Sequence, residues 1–445
     1  MTTSRQQLAR GAYSVLLRVL APFYLLRIWR RGRAEPLYRH AIAERLGVYA
    51  DAPSAGWVWV HAVSLGETRA AAALVDALRV LRPDMKLLLT HSTATGREAG
   101  RALLCAGDRQ TWFPYDSSGA AKRFFDHFRP AVGVLMETEV WPNLMHAAHA
   151  NGVPMVLANA RLSAKSHAKS QRLDALMRPA ARRLTLVLAQ TDADAERLRD
   201  AGAPHVEVSG NLKYDLSPDP AQLVRGAAWR KRLNRPVVLA AITREGEEGA
   251  LLRAWVGQMA DSAALATSSA SSSQQAPLLL IVPRHPQRFD EVAALVRAAG
   301  LTLARRSSWG AAAPDVPDAS ACAAQVWLGD SMHEMAQYYA AAAVALLGGS
   351  FAPLGGHNLI EAAACGCPLV MGPSTFNFAE AAELSLAAGA SARVEDFDEG
   401  VALALDWLGQ PGLLAERARD ALEFAAQHRG AAQRMAGRVV GLVGS

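Results

Sequence analysis

From Gly56 onward, short apolar runs of strand length alternate with amphipathic stretches of helical length, and no other feature restricts the fold as much. The runs WVWVHAV (57–63), KLLLT (86–90), AVGVLME (131–137), VPMVLAN (153–159) and LTLVLAQ (184–190) are apolar almost throughout. A helix is expected from Thr68 to Leu81 and another near 95–106. Strands apolar on both faces and separated by helices predict a parallel sheet covered on both sides. Pro218-Asp219-Pro220 reads as a linker, and a second series follows with PVVLAAI (236–242), PLLLIVP (277–283), AALVRAAGLTLA (293–304) and AAAVALLGG (341–349). At 445 residues the chain is too long for one ordinary core. The expectation is therefore an α/β protein of two doubly wound domains, 51–217 and 218–445, with the last helix free to pack back on the first. The Ser/Ala-rich stretch 261–276 reads as a solvated loop.

Charge is concentrated before this pattern begins. Residues 1–50 hold nine arginines against Glu35 and Glu44, a net +7, so the rest of the chain sums to −1 of the total +6. The basic character belongs to an arm, and the body has no electrostatic footprint for nucleic acid. Within the arm, AYSVLLRVLAPFYLLRIW (12–29) precedes Arg30-Arg31-Gly32-Arg33. Arg18 and Pro22 interrupt the run, which favours a helix lying in a membrane interface, arginines on anionic headgroups, over one that spans the bilayer. The four cysteines (105, 322, 365, 367) have no C-x-x-C spacing, so they imply neither a disulfide framework nor a zinc site and read as small buried residues.

Polar residues cluster where strands end. In HAVSLGET (61–68), Glu67 falls in the first helical turn, at the edge of a strand, where it could take a proton from an attacking hydroxyl. His61 lies within the strand and reads as a core histidine. METEVWPN (136–143) puts Glu137 and Glu139 at another strand end, in the manner of acid pairs that orient cations or sugar hydroxyls; NARLS (159–163) follows the next strand. GNLKYD (210–215) offers Lys213 to an anionic substrate or leaving phosphate, an exposed linker lysine being the alternative. PRHP (283–286) presents Arg284 and His285. GDSMHEM (329–335) reads as a helix start with Ser331 as cap and open N–H groups around Met332, His333 and Glu334. In LGGSFAPLGGHNLIEAAACGCPLVMGPSTFNF (347–378) two glycine turns precede a helix start, with Asn358 as N-cap and Glu361 three residues on. This segment suits either simple capping or a nucleotide phosphate held at a helix amino terminus. No G-x-G-x-x-G, Walker A or H-E-x-x-H pattern is present.

Taken together and in order, HAVSLGE, METEVWPN, NARLS, GNLKYD, PRHP, GDSM-x-EM and the 347–378 segment resemble the 3-deoxy-D-manno-octulosonic acid (Kdo) transferases of lipid A biosynthesis, over residues 10 to 430. The resemblance implies a GT-B glycosyltransferase fold, two Rossmann-like domains facing across a cleft, with a membrane-associated amino-terminal helix in residues 1–50. It implies inverting transfer of Kdo from CMP-Kdo to a lipid A precursor of the lipid IVA type, at the cytoplasmic face of the inner membrane, with inner-membrane lipids contacted through residues 1–35. CMP-Kdo would be the donor substrate, with no separate cofactor, no metal and no nucleic acid. The family's general base falls on Glu67, and the groups that assist the transition state fall on Glu137 and Lys213. Its CMP contacts fall on Arg284, His285, Met332, His333, Glu334, Asn358, Leu359, Ile360 and Glu361. His333 departs from the glycine common there. The rival expectations are another GT-B-type enzyme using a uridine nucleotide, such as an epimerase or an N-acetylglucosaminyltransferase, and a non-catalytic membrane-tethered nucleotide or lipid binder.

Overall fold

The computed structural model describes residues 4–215, 217–266, 276–309 and 316–443. Its contacts divide the chain into two units, Met1–Asp215 with His428–Ser445, and Leu216–Gln427. In the first unit the strands are β1 (Trp57–His61), β2 (Lys86–His91), β3 (Arg109–Trp112), β4 (Val132–Met136), β5 (Met155–Ala160), β6 (Leu186–Ala189) and β7 (Val206–Val208). They form one parallel sheet in the order β3-β2-β1-β4-β5-β6-β7. Alternate residues of a strand serve opposite faces. Thus Val58 and Val60 join one core, with Leu74, Val75 and Leu78 of the Leu65–Leu81 helix. Trp57 and Trp59 join the other, with Phe124, Phe125 and Phe128. The closing helix Ala431–Val440 adds Ala432, Met435, Ala436 and Val439 to the first of these cores.

The second unit repeats the plan with β8 (Val237–Thr243), β9 (Leu278–Pro283), β10 (Leu303–Arg305), β11 (Val326–Leu328), β12 (Val344–Leu347), β13 (Leu369–Met371) and β14 (Ser391–Arg393). The order is β10-β11-β9-β8-β12-β13-β14, again parallel. In each sheet the strand order reverses direction beside the first strand, between β1 and β4 and between β8 and β12. Those gaps are where open α/β sheets hold ligands, at the carboxyl ends of the strands.

Several expectations change. Pro218-Asp219-Pro220 also starts a helix: the Asp219 carboxylate accepts from the Ala221 amide at 2.8 Å and caps the Pro220–Leu233 helix, with proline at the first helical position where no N–H is needed. The run 293–304 is divided between the Phe289–Ala298 helix and β10. Of the stretch read as a loop, 261–266 belongs to the Glu247–Ala266 helix, and 267–275 lies outside the described residues. Cys367 is buried, but Cys105 is exposed.

The amino-terminal helix Ser4–Arg31 runs unbroken through Pro22. One face is tied to the first unit. Tyr13 donates to Asp116 Oδ2 at 3.0 Å, Ser14 donates to Asn143 Oδ1 at 3.0 Å, Tyr24 stacks on Tyr115, and Tyr115 donates to the Leu17 carbonyl. The other face exposes Leu8, Val15, Leu16, Val19, Leu20, Phe23, Leu26 and Trp29. Spacings of three and four residues make these one apolar stripe turned outward, the reverse of a helix that covers a soluble core.

Candidate active site

In the first unit the chain leaves β1 through Val63 and Ser64 and enters the Leu65–Leu81 helix. Ser64 is the N-cap, and Glu67 completes a capping box: the Glu67 amide donates to Ser64 Oγ at 3.4 Å, while the Ser64 hydroxyl donates to Glu67 Oε1 at 3.0 Å. The Val63 amide donates to Oε2 at 2.8 Å. Both carboxylate oxygens are thus fixed. Burial pushes the Glu67 carboxyl up, the Val63 and Ser64 hydrogen bonds oppose it, and the charges of Glu137 and Glu139 add to it, for a value of about 7.

Those two glutamates arrive from β4, across the gap at which the strand order reverses. Glu137 holds a φ of +59°, in the left-handed region that residues with a side chain seldom occupy. Its amide still bonds to the Ala158 carbonyl of β5 at 2.9 Å, so the twist begins while the sheet holds the backbone. Strain of this kind persists where surrounding bonds over-determine it, and it collects at functional sites. Glu139 is half-buried and accepts from Trp141 Nε1 at 2.6 Å, with its carboxyl raised chiefly by burial. Trp141 therefore both packs near Phe113 and orients a carboxylate. His61 is a core residue: fully buried, stacked on Phe113 and bonded through Nδ1 to Thr90, it is driven to about 3 by burial.

Lys213 lies on the Leu212–Asp215 turn, which packs against the Leu65–Leu81 helix. A polar relay sets that turn. Asn159, buried with φ +51°, accepts from the Leu212 amide at 3.0 Å; Gln190 bonds to the Asn159 carbonyl and to Asn211; and Asn211 Oδ1 accepts from the Lys213 amide. The Asp215 carboxylate then accepts from the Gly430 and Ala432 amides, which joins the turn to the closing helix.

In the second unit, Arg284 and His285 follow β9 and are exposed. The Arg284 amide donates to the Thr243 carbonyl at the end of β8. Arg244 and His357 join them, residues that sequence reasoning did not single out. Burial first, and then the charges of Arg284, Arg244 and His285, lower the His357 imidazole to about 4. The glycine pair after β12 makes this convergence possible. A Cβ on Gly348 would stand 2.5 Å from the Ile242 carbonyl, and one on Gly349, at φ +70°, would stand 3.1 Å from His357 Nε2. The turn is held from below by Glu247, buried, whose carboxylate accepts from the Gly349 and Arg244 amides at 2.8 Å and from Ala352 at 3.2 Å. Glu247 satisfies these backbone amides, so the cationic character of the rim comes from the Arg244 and Arg284 side chains.

The other expected contacts lie on neighbouring strand ends. Ser331 is not an N-cap; the helix begins at Met335, and the Ser331 hydroxyl instead donates to Glu334, which also accepts from Arg306 at 3.0 Å. Met332 is exposed, and His333 holds φ +64°, the backbone state glycine adopts without cost. Asn358 is an N-cap, accepting from the Ile360 amide at 3.2 Å; Leu359 and Ile360 are buried, and Glu361 is half-buried.

Residues 40–216 match the family model described as 3-deoxy-D-manno-octulosonic-acid transferase (kdotransferase). A protein of that name from Bordetella pertussis is 46% identical over 437 residues, 96% of this chain and 98% of its own length. The chain belongs to the Kdo transferase family. A second Kdo transferase, from Haemophilus influenzae, is 32% identical over 96% of this chain and 97% of its own. The fold agrees with a glycosyltransferase structure from Rickettsia africae, TM-score 0.56 over 87% of this chain and 98% of that one at 11% identity. This member of the Kdo transferase family is therefore a glycosyltransferase with two parallel-sheet domains of the GT-B class. One unit carries a fixed glutamate cluster and the other a cationic rim.

Proposed function

We propose that this enzyme transfers Kdo from CMP-Kdo to a lipid A precursor, with inversion, at the cytoplasmic face of the inner membrane. The observation that carries the reading is Glu67, held by two hydrogen bonds at a strand-order reversal with its carboxyl raised to about 7. A base poised near the working pH is what deprotonation of a sugar hydroxyl requires. As the acceptor oxygen attacks the anomeric carbon of Kdo, its proton passes to Glu67. The new C–O bond forms as the bond to the CMP phosphate breaks, and the electron pair leaves with CMP. Glu137 and Lys213 attend the developing charges of the transition state.

CMP is assigned to the Arg284, His285, Arg244 and His357 rim, with Met332, His333 and Glu334 and the Asn358–Glu361 turn beside it. Arginines and backbone N–H groups suit a phosphate leaving group. The donor brings its own activated leaving group, so the reading calls on no metal. The outward apolar stripe on Ser4–Arg31 supports attachment to a membrane surface, where a lipid acceptor resides. The test is CMP release and product formation with CMP-Kdo and a lipid A precursor, compared between the wild type and Glu67→Gln. Release of UMP or UDP from a uridine sugar would favour the rival enzyme reading.

A further inference from the structure

Between the start of the amino-terminal helix and the body of the first unit lies a cavity of about 250 Å³. Arg10, His146 and Arg183 line it together with Gln6, Pro142 and Pro179, and no carboxylate does. These three side chains come from three elements: Arg10 from the amino-terminal helix, His146 from the Pro142–Ala150 helix, and Arg183 from just past the end of Asp174–Ala181. Arg10 and Arg183 are both half-buried, and neither forms a salt bridge among the described residues; one Arg183 amino group donates to the Pro179 carbonyl at 2.8 Å. His146 Nδ1 is buried without a partner. After burial, the charges of Arg10 and Arg183 lower the His146 imidazole, and Arg10 lowers Arg183. Two guanidiniums therefore repel each other around an open volume, beside an imidazole whose buried Nδ1 has no partner. Proteins rarely assemble partly buried like charges unless an anion offsets them.

We propose that this cavity is a phosphate-monoester site that takes the headgroup of an anionic membrane lipid. Two arginine forks match the oxygens of a phosphate dianion, and a monoester presents three such oxygens where a diester presents two. The position favours a lipid source, because the helix that contributes Arg10 exposes Leu8 in the same turn and Val15, Leu16 and Val19 in the turns that follow. The inference rests on reading that helix as lying on a membrane.

The test measures binding of the full chain to phosphatidylcholine vesicles matched in surface potential, one set containing phosphatidic acid, a monoester, and the other phosphatidylserine, a diester. The wild type is expected to prefer phosphatidic acid at least five-fold. The preference should fall towards one in Arg10→Gln/Arg183→Gln and in Arg10→Gln alone, whose half-exposed site leaves folding intact. It should persist in Arg18→Gln/Arg27→Gln, which removes two exposed charges from the same helix, although all variants lose overall affinity. Equal binding of the two lipids by the wild type, or an unchanged preference in Arg10→Gln/Arg183→Gln, overturns the proposal. A rise in melting temperature with inorganic phosphate alone, and no lipid preference, would assign the cavity to a free anion and overturn the lipid source. Failure to bind any vesicle, neutral or anionic, would instead refute the membrane reading on which the inference depends.

Discussion

Ser64 and Glu67 cap one helix reciprocally, the Ser64 hydroxyl donating to Glu67 Oε1 at 3.0 Å and the Glu67 amide donating to Ser64 Oγ at 3.4 Å. The bond that begins the helix also aims the base. Ser64→Ala should therefore act twice. Loss of the cap costs about 1 kcal/mol of stability, read by denaturant unfolding. Loss of a bond that favours the carboxylate raises the Glu67 pKa, so the acid limb of the kcat/KM profile should move to higher pH.

The acid limb in the wild type is expected near pH 7, because Glu67 must be ionised to accept a proton. Glu139→Gln removes a like charge and should shift that limb to lower pH. The same group shapes stability. Its folded value of about 7 lies above the ordinary 4.5, so the folded state holds the extra proton between those values. Stability contributed by this group is present below about 4.5 and is lost as pH rises to about 7. Glu67→Gln keeps one acceptor oxygen for the Val63 amide while its NH2 can donate to the Ser64 hydroxyl, and the change should raise the melting temperature at pH 8 more than at pH 5.

In the second unit the decisive residue is Glu247, which holds the Gly349, Arg244 and Ala352 amides. Glu247→Ala leaves buried N–H groups without acceptors and should cost on the order of 3 kcal/mol, with CMP affinity by calorimetry falling in parallel. Unchanged CMP affinity in a folded variant would separate this turn from the donor.

His333→Gly should stabilise the protein by about 1 kcal/mol, since φ +64° is strained for histidine and free for glycine. Thermal unfolding measures this directly.

The outward stripe gives a fifth expectation. Leu16, Val19 and Phe23 are exposed, so changing all three to Gln leaves the fold intact. Each loses about 1.5 to 3 kcal/mol of apolar burial if the stripe lies in lipid, and vesicle flotation should be abolished. Flotation equal to the wild type would place the stripe elsewhere.

Much of this arrangement could be read before any coordinates. The doubly wound halves followed from runs such as WVWVH, buried on both faces, because parallel strands carry no polar side to disguise them. Three-residue strands such as Val206–Val208 and Ser391–Arg393 escaped notice, since so short a piece has no period. Glu67 stood out by its place after a strand, and the S-x-x-E spacing from Ser64 could also have revealed its capping box. Arg244 and Glu247 did not stand out, although TREGEE follows a strand as plainly as PRHP does. Their roles arise from backbone amides more than 100 residues away, as in the Glu247 bond to Gly349, and no local pattern encodes such a pairing. Pro22 interrupts the apolar run in the sequence and removes one backbone bond from the helix. A helix already fastened by Tyr13, Ser14 and Tyr24 tolerates that loss.

The central claim is that Glu67 is the base for Kdo transfer. It is tested most directly by mass analysis of a lipid A precursor incubated with CMP-Kdo and either wild-type enzyme or Glu67→Gln, with CMP binding measured on the same samples. The account predicts a Kdo-bearing product from the wild type, a rate lower by about 10²–10⁴ in the variant, and equal CMP binding by both. Wild-type turnover by Glu67→Gln would contradict it.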